Sequence, residues 1–301
     1  MSTAISRIKK PKKNWTYFFI ALPLMLLVVL FHYVPLAGWY LAFIDYKVGQ
    51  PILKCHWVGF KYFRMLFSSR DFGRIMGNTC IFSTYYMFML LLPPLFAILL
   101  NELKLKRFGK FSQTAATLPN FVSWVLVYSV FYAVFSSDGI VNTLLGHFGT
   151  SQKWMSSKKD VYWFQSFVWA WKNVGWKSII YIAAISSIDQ ELYEAAAVDG
   201  ANRFKMCLHI TIPGLIPTFL VLFLIAVGNF VSNGLQQYFV FDNAIISKKI
   251  ETIELYTYNK GLKLLDYSYA TAVGMFQSVI SIVLLFIANG TSKLVRGESI
   301  F

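Results

Sequence analysis

Glu194-Ala195-Ala196-Ala197-Val198-Asp199-Gly200, continuing to Ile210-Thr211-Ile212-Pro213, is a polar stretch set between two long apolar segments. With its flanks it carries Asp189, Glu191, Arg203 and Lys205, so it must face water. Its local pattern predicts helix, tight turn, helix. Ser187 with Gln190 three residues on has the spacing of a capping box. Gln190 to Val198 is rich in Ala, Leu and Glu, which are good helix formers. Asp199-Gly200 stops that helix, because glycine tolerates the left-handed backbone of a C-cap. Asn202 is placed to cap a second short helix, which is expected to end before Pro213. A short helix hairpin between two membrane spans is a surface made to dock on something.

The chain around it is apolar. Of 301 residues 56% are hydrophobic, 18% aromatic and 14% charged, with mean hydropathy +0.53. An ordinary soluble domain carries about 25% charged residues. The composition predicts an all-α polytopic membrane protein. Six segments reach the roughly 20 helical residues that cross a hydrocarbon core: 15–34, 78–100, 117–135, 162–188, 214–232 and 269–289. The organisation that follows is a basic tail (1–14), a first span (15–34), an outer segment (35–77), a five-span core (78–289) containing the hairpin at 189–213, and a short tail (290–301). Pro93-Pro94 and Pro217 are expected to kink their helices or lie near an end. Phe60, Phe63, Phe67 and Phe72 among Lys61, Arg64, Arg70 and Arg74 predict an amphipathic helix at the membrane surface.

The net charge of +14 comes from 28 Lys and Arg against 14 Asp and Glu. The basic residues lie mostly between apolar runs, where they orient helices and meet anionic lipid; no nucleic-acid motif is present. Lys and Arg divide evenly between the two sides. The dense clusters beside spans (Arg7 to Lys13, and Lys104, Lys106, Arg107, Lys110) decide for both termini in the cytoplasm. The first span is too long for a signal peptide and has no small-x-small cleavage site, so it reads as retained. Cys55, Cys80 and Cys207 and the four histidines have no ligand spacing, so neither a disulfide framework nor a metal site is expected.

No enzyme constellation stands out: there is no Gly-x-x-x-x-Gly-Lys-Ser/Thr to hold ATP phosphates and no Gly-x-Ser-x-Gly. The spans hold no Asp or Glu, which argues against a proton-coupled carrier. They do hold amides and aromatics. Trp169, Asn173, Trp176 and Ile180 share one helix face. Asn229, Asn233 and Gln236 form a second stripe, and Trp124 and Tyr128 stack one turn apart. Amides satisfy sugar hydroxyls and aromatic faces pack on pyranose rings, so these residues are candidates for a sugar pathway; the alternative is glue between helices. Lys172 and Lys177 are costly at the bilayer centre, at about 2.5–3.5 kcal/mol each. Either the helix breaks near Gly175, or at least one lysine faces a hydrated cavity or snorkels. A lysine lining the pathway would suit an acidic sugar such as a uronate oligosaccharide.

Glu194-Ala195-Ala196, three residues, Gly200, nine residues, Ile210-x-Ile212-Pro213 resembles the EAA loop of ABC-importer permease subunits, with Ile212 where Leu is usual. Trp57-Val58-Gly59-Phe60, Gly77-Asn78-Thr79, Leu118-Pro119, Trp171-Lys172-Asn173-Val174-Gly175-Trp176, Tyr267-Ser268-Tyr269-Ala270-Thr271-Ala272 and Gly297-Glu298-Ser299 look like landmarks of the same family. Over nearly its whole length the chain is similar to the maltose-type, binding-protein-dependent carbohydrate permeases, in particular the lipoprotein-operon (LplB-like) subgroup. The resemblance implies the type I importer fold of six transmembrane helices in a bacterial cell membrane. It also implies a second homologous permease, two ATP-binding cassette ATPases that hold the ATP and Mg, and an extracytoplasmic sugar-binding protein; this chain would bind no cofactor and be no enzyme. Glu194, Ala195, Ala196, Asp199, Gly200, Ile210 and Pro213 would couple to the ATPase. An importer for a non-sugar solute, or a secondary transporter, is the alternative.

Overall fold

The computed structural model describes residues 15–232 and 234–296. Both basic and C-terminal tail ends, Gly297-Glu298-Ser299 and Asn233 lie outside them. The described residues are helical, apart from loops and one isolated bridge between Ile44 and Trp57.

Helix α1 (Trp15–Val28) runs on through a π-turn at Val29–Tyr33 and a 3₁₀ segment at Val34–Phe43, so the first apolar stretch reaches Phe43 rather than residue 34. Pro35 opens the 3₁₀ segment, where a missing N–H costs least. α2 (Lys61–Ser68) is the expected amphipathic helix. Tyr62 and Leu66 on its inner face are buried, and Phe67 and Phe72 pack edge-on against Phe276 at 5.3 and 5.6 Å. It is held by packing on the last span.

α3 (Arg70–Met89) starts earlier than residue 78, because Ser69 accepts from the Asp71 N–H. It breaks at Leu90-Leu91 and resumes as α4 (Leu92–Glu102), with Pro93 in the first turn, the position a proline tolerates. α5 (Lys106–Thr117) is a separate helix, and a 3₁₀ turn at Leu118–Phe121 follows it. The third span therefore begins at α6 (Trp124–Phe135), capped by Ser123, and not at residue 117; α7 (Ile140–Gly146) extends it.

α8 (Val161–Ser186) is the central element. Its 26 residues give about 39 Å at 1.5 Å per residue, enough to cross a bilayer. Among the described residues, five helices are both long and apolar enough by composition to cross a membrane, and α8 is not one of them: Tyr17–Phe43, Arg70–Glu102, Trp124–Gly146, Arg203–Gly228 and Tyr267–Gly290. α8 is long enough but more polar, with Gln165, Ser166, Lys172 and Ser178 buried against its neighbours. It is continuous through Gly175, where it meets the backbone of α5 so closely that a β-carbon would collide with the Ala116 carbonyl and sit 2.8 Å from the Thr117 nitrogen.

α9 (Gln190–Val198) and α10 (Arg203–Met206) form the hairpin. The second arm does not end before Pro213. It passes through a π-turn at Cys207–Thr211, closed by the Ile212 N–H on the Cys207 carbonyl, into α11 (Ile212–Gly228), where Pro213 falls in the first turn and its missing N–H costs least. α12 (Leu235–Phe241), α13 (Ser247–Ile250) and α14 (Ile253–Tyr258) lead to α15 (Tyr267–Arg296).

Three apolar clusters hold the helices together. Phe82, Phe131, Phe164, Tyr238 and Phe241 join α3, α6, α8 and α12. Tyr62, Ile75, Ile253, Tyr269 and Val273 join α2, α3, α14 and α15. Ala97, Tyr181, Ile185 and Leu215 join α4, α8 and α11.

Candidate functional sites: a capped hairpin and a polar cavity

The hairpin is built from local hydrogen bonds. Asp189, not Ser187, caps α9, accepting from the Glu191 N–H at 3.0 Å; the Ser187 hydroxyl instead donates back to the Ala184 carbonyl. The aspartate sits directly before the first free amide, and its charge suits the positive helix end. Gly200 ends the helix at φ +75°. Its N–H donates to Ala197 O and that of Ala201 to Ala196 O, at 3.1 and 2.9 Å, which is the Schellman pattern. Asn202 caps α10 through the Lys205 N–H at 2.9 Å, as expected. A hydrogen bond between the Tyr193 and Thr211 hydroxyls (2.9 Å) ties the arms together, and Arg203 reaches Glu102 at the end of α4.

The hairpin presents an apolar surface that its sequence did not announce. Leu192, Val198 and Phe204 are 53%, 88% and 75% exposed. Glu194, Ala195, Asp199, Gly200 and Pro213 are exposed, and Ala196 and Ile210 half-buried. Polar residues interleaved with large exposed apolar ones form a patch suited to a protein partner.

The second site is a cavity of about 230 Å³ between α3, α8 and the chain that follows α11. Tyr86, Gln165, Ser166, Trp169, Asn229 and Tyr238 are among its lining residues. A smaller space of about 160 Å³ adjoins it and shares Tyr86 and Asn229; Lys177, Tyr181 and Ile225 also line it. Trp169 and Tyr86 meet edge to face at 4.7 Å, forming an aromatic wall.

Of the expected pathway residues, Trp169 and Asn229 reach this cavity. Asn173 spends its amide on the Trp169 carbonyl and accepts from Asn120. Trp176 packs on Phe121 at 5.4 Å, and Trp124 and Tyr128 pack against the first apolar cluster. Of the expected stripe, Asn229 and Gln236 do not share one helix face, and Asn233 lies outside the described residues. α11 stops at Gly228, Gly234 takes φ +89°, and Gln236 is exposed. The glutamine that matters there is Gln237, buried, whose amide donates to the carbonyl and side chain of Gln165 at 2.8 and 2.9 Å. Gln165 and Ser166 stood in the sequence beside Trp169, but only the α8 register shows that they turn inward.

The break after α11 is itself pinned. The Gly234 N–H donates to Glu254 at 2.8 Å, and Gln277 donates to the Val231 carbonyl at 3.1 Å and the Ser232 hydroxyl at 3.0 Å. Burial pushes the Glu254 carboxyl above the usual carboxylate range, and the donors from Gly234 and Gln277 offset only part of that. The Ser83 hydroxyl donates to the Phe230 carbonyl, joining the same break to α3.

The two lysines of α8 have different environments. Lys172 is 6% exposed, and its ammonium donates to the carbonyls of Pro119, Asn120 and Val122 at 2.9, 2.9 and 2.5 Å. It is a structural cap on the 3₁₀ turn after α5 and lies outside the cavity. Lys177 lies over the Trp169 and Tyr86 rings, 5.7 and 6.0 Å from their centroids.

Residues 81–296 match the model of the family described as binding-protein-dependent transport system inner membrane component. The chain is 35% identical to Protein LplB of Bacillus subtilis (strain 168), over 96% of this chain and 92% of that one. It is 35% identical to the polygalacturonan/rhamnogalacturonan transport system permease protein YteP of the same strain, over 98% and 92%. It also resembles a chain of a bacterial ABC transporter involved in the import of the acidic polysaccharide alginate, with TM-score 0.86, 32% identity and 94% and 96% coverage. In a second crystal structure, in complex with alginate pentasaccharide-bound periplasmic protein, the TM-score is 0.87 with 31% identity and 95% and 97% coverage.

Proposed function

We propose a specific role for this chain from a settled premise: it belongs to the family of binding-protein-dependent transport system inner membrane components, and is a multi-pass permease of the sugar-importing ABC type. In our reading its solute is an oligosaccharide released from an acidic polysaccharide. The chain encloses the pathway with a second, homologous permease. A sugar-binding protein delivers from outside, and two ATPase subunits hold and hydrolyse ATP. Both termini and the hairpin face the cytoplasm.

The observation that carries the coupling role is the exposed, rigidly capped hairpin. Asp189, the Schellman turn at Gly200 and Asn202 fix its shape, so it can transmit a push. Leu192, Val198 and Phe204 supply apolar surface for a groove on the ATPase, and Ala195 and Ala196 allow close approach. The Tyr193–Thr211 bond carries displacement of α9 into the foot of α11, whose far end borders the cavity. Closure of the ATPases then moves the cavity wall.

The acidic class of solute is supported by the names of the relatives, one for polygalacturonan and rhamnogalacturonan and one for alginate. The cavity supports a saccharide: amides and hydroxyls from Gln165, Ser166 and Asn229 face a Trp–Tyr wall. Orientation is tested with the native cysteines. Cys55 is expected to label with an impermeant thiol reagent on intact cells, and Cys207 only after lysis; the reverse pattern would invert the topology and remove the hairpin from the ATPases.

A further inference from the structure

Lys177 is half-buried, and its ammonium is held differently from those of Lys172 and Arg74, the two other cations packed among the spans. Lys172, five residues earlier on the same helix, is satisfied by three carbonyls. Arg74 is paired with Asp71 and Glu251. Lys177 has no hydrogen bond and no carboxylate among the described residues; it has only the rings of Trp169 and Tyr86. Its neighbours around the smaller space are Leu90, Pro93, Tyr181, Leu222 and Asn229, all uncharged. None of the chain's 14 acids lies within the part of α8 or α11 that faces it. A charge in the apolar zone is costly and is retained where it meets a pathway or a counter-ion. Two rings at about 6 Å hold an ammonium in place without consuming its N–H donors.

We infer that Lys177 is a specificity-determining residue of the pathway: its ammonium takes the carboxylate of a uronate unit as that unit passes between the two cavities, while Trp169 and Tyr86 receive the apolar face of the sugar ring. Asn229, shared by both spaces, is placed to bond the ring hydroxyls. This rests on the reading of the chain as an oligosaccharide permease. It adds which residue selects acidic over neutral units. A spare cation next to an aromatic wall answers both chemical faces of a uronate, whereas neutral sugars leave the ammonium unpaired.

The test uses the complete importer as it copurifies with this chain, reconstituted in proteoliposomes with ATP and its binding protein. The probe is a labelled oligouronate, with the neutral oligosaccharide of the same length beside it. Loss of one charged hydrogen-bond partner is worth roughly tenfold to a hundredfold. Lys177→Gln is expected to lower oligouronate uptake at least tenfold. The loss should fall on the oligouronate and not on the neutral oligosaccharide, and Lys177→Arg should restore most of the uptake. Wild-type uptake by Lys177→Gln would overturn the inference. So would equal losses in both variants together with lost ATPase stimulation, which would mark Lys177 as structural. A wild-type importer that carries the neutral sugar and rejects the uronate would sink the inference and leave the permease reading intact. One that carries no saccharide with ATP present would bring down that reading itself.

Discussion

Replacing Lys172 by Met removes the ammonium and keeps most of the stem. Three charged hydrogen bonds, each worth about 1.5–3 kcal/mol net, are lost. The Pro119 carbonyl keeps the Val122 N–H at 3.3 Å as a second donor, so the larger losses fall on Asn120 and Val122. Against this, removing a lysine from the apolar zone returns about 2.5–3.5 kcal/mol. The hydrogen-bond term wins, leaving a net destabilisation on the order of 3 kcal/mol. At about 2–4 °C per kcal/mol for a chain of this size, the melting temperature should fall by roughly 6–12 °C. Fluorescence-detected size exclusion of the detergent-solubilised importer after a temperature ramp measures it. Lys172→Arg should fall in between, because a planar guanidinium cannot aim three donors into one cup. A Lys172→Met protein melting within a degree of wild type would refute the reasoning, since it would mean that the turn 118–122 holds itself.

Other substitutions follow from the same geometry. Gly175→Ala puts a β-carbon into the Ala116 carbonyl, and two backbones cannot yield as a side chain does; a cost of about 3 kcal/mol is expected, read as a lower melting temperature. Gly200→Val meets no atom within 4 Å but forces a branched residue into φ +75°, at about 1–2 kcal/mol or more. It should preserve assembly while uncoupling ATP hydrolysis from uptake, and normal uptake would be hard to square with a coupling hairpin. Glu254, with its folded-state pKa raised, binds its proton more readily folded than unfolded. Stability should therefore fall as pH rises from the ordinary glutamate range toward the folded value and then level off. Glu254→Gln, which keeps the acceptor for Gly234, should melt no lower than wild type at pH 7 and lose that part of the pH dependence.

Much of this molecule is legible in the sequence because it is local. Gly200 and Asn202 announce their turn and cap within three or four residues, and the apolar runs announce the spans. Ser187 was misread because Asp189 competes for the same amides from a closer position and carries a charge. Asn229 and Gln236 were expected on one helix face, but α11 ends at Gly228 and Gly234 turns left-handed between them: two glycines outweighed a periodic pattern. What stayed hidden is non-local. The carbonyl cup around Lys172 comes from residues some 50 positions earlier, the Gln165–Gln237 bond spans 72, and the approach of Gly175 to Ala116 depends on how α8 crosses α5. Spacing along one helix could show that Lys172 and Lys177 point apart. Only packing shows that one is consumed by the fold and the other left free.

The central claim is that this chain forms a sugar path driven by ATPases through its hairpin. The most direct measurement is uptake of labelled oligosaccharide into proteoliposomes holding the assembly that copurifies with the chain, with and without ATP on the ATPase side. Uptake that requires ATP and the binding protein, and that Gly200→Val abolishes while hydrolysis continues, is the expected result. Uptake by the chain alone, without ATP and indifferent to Gly200, would contradict it.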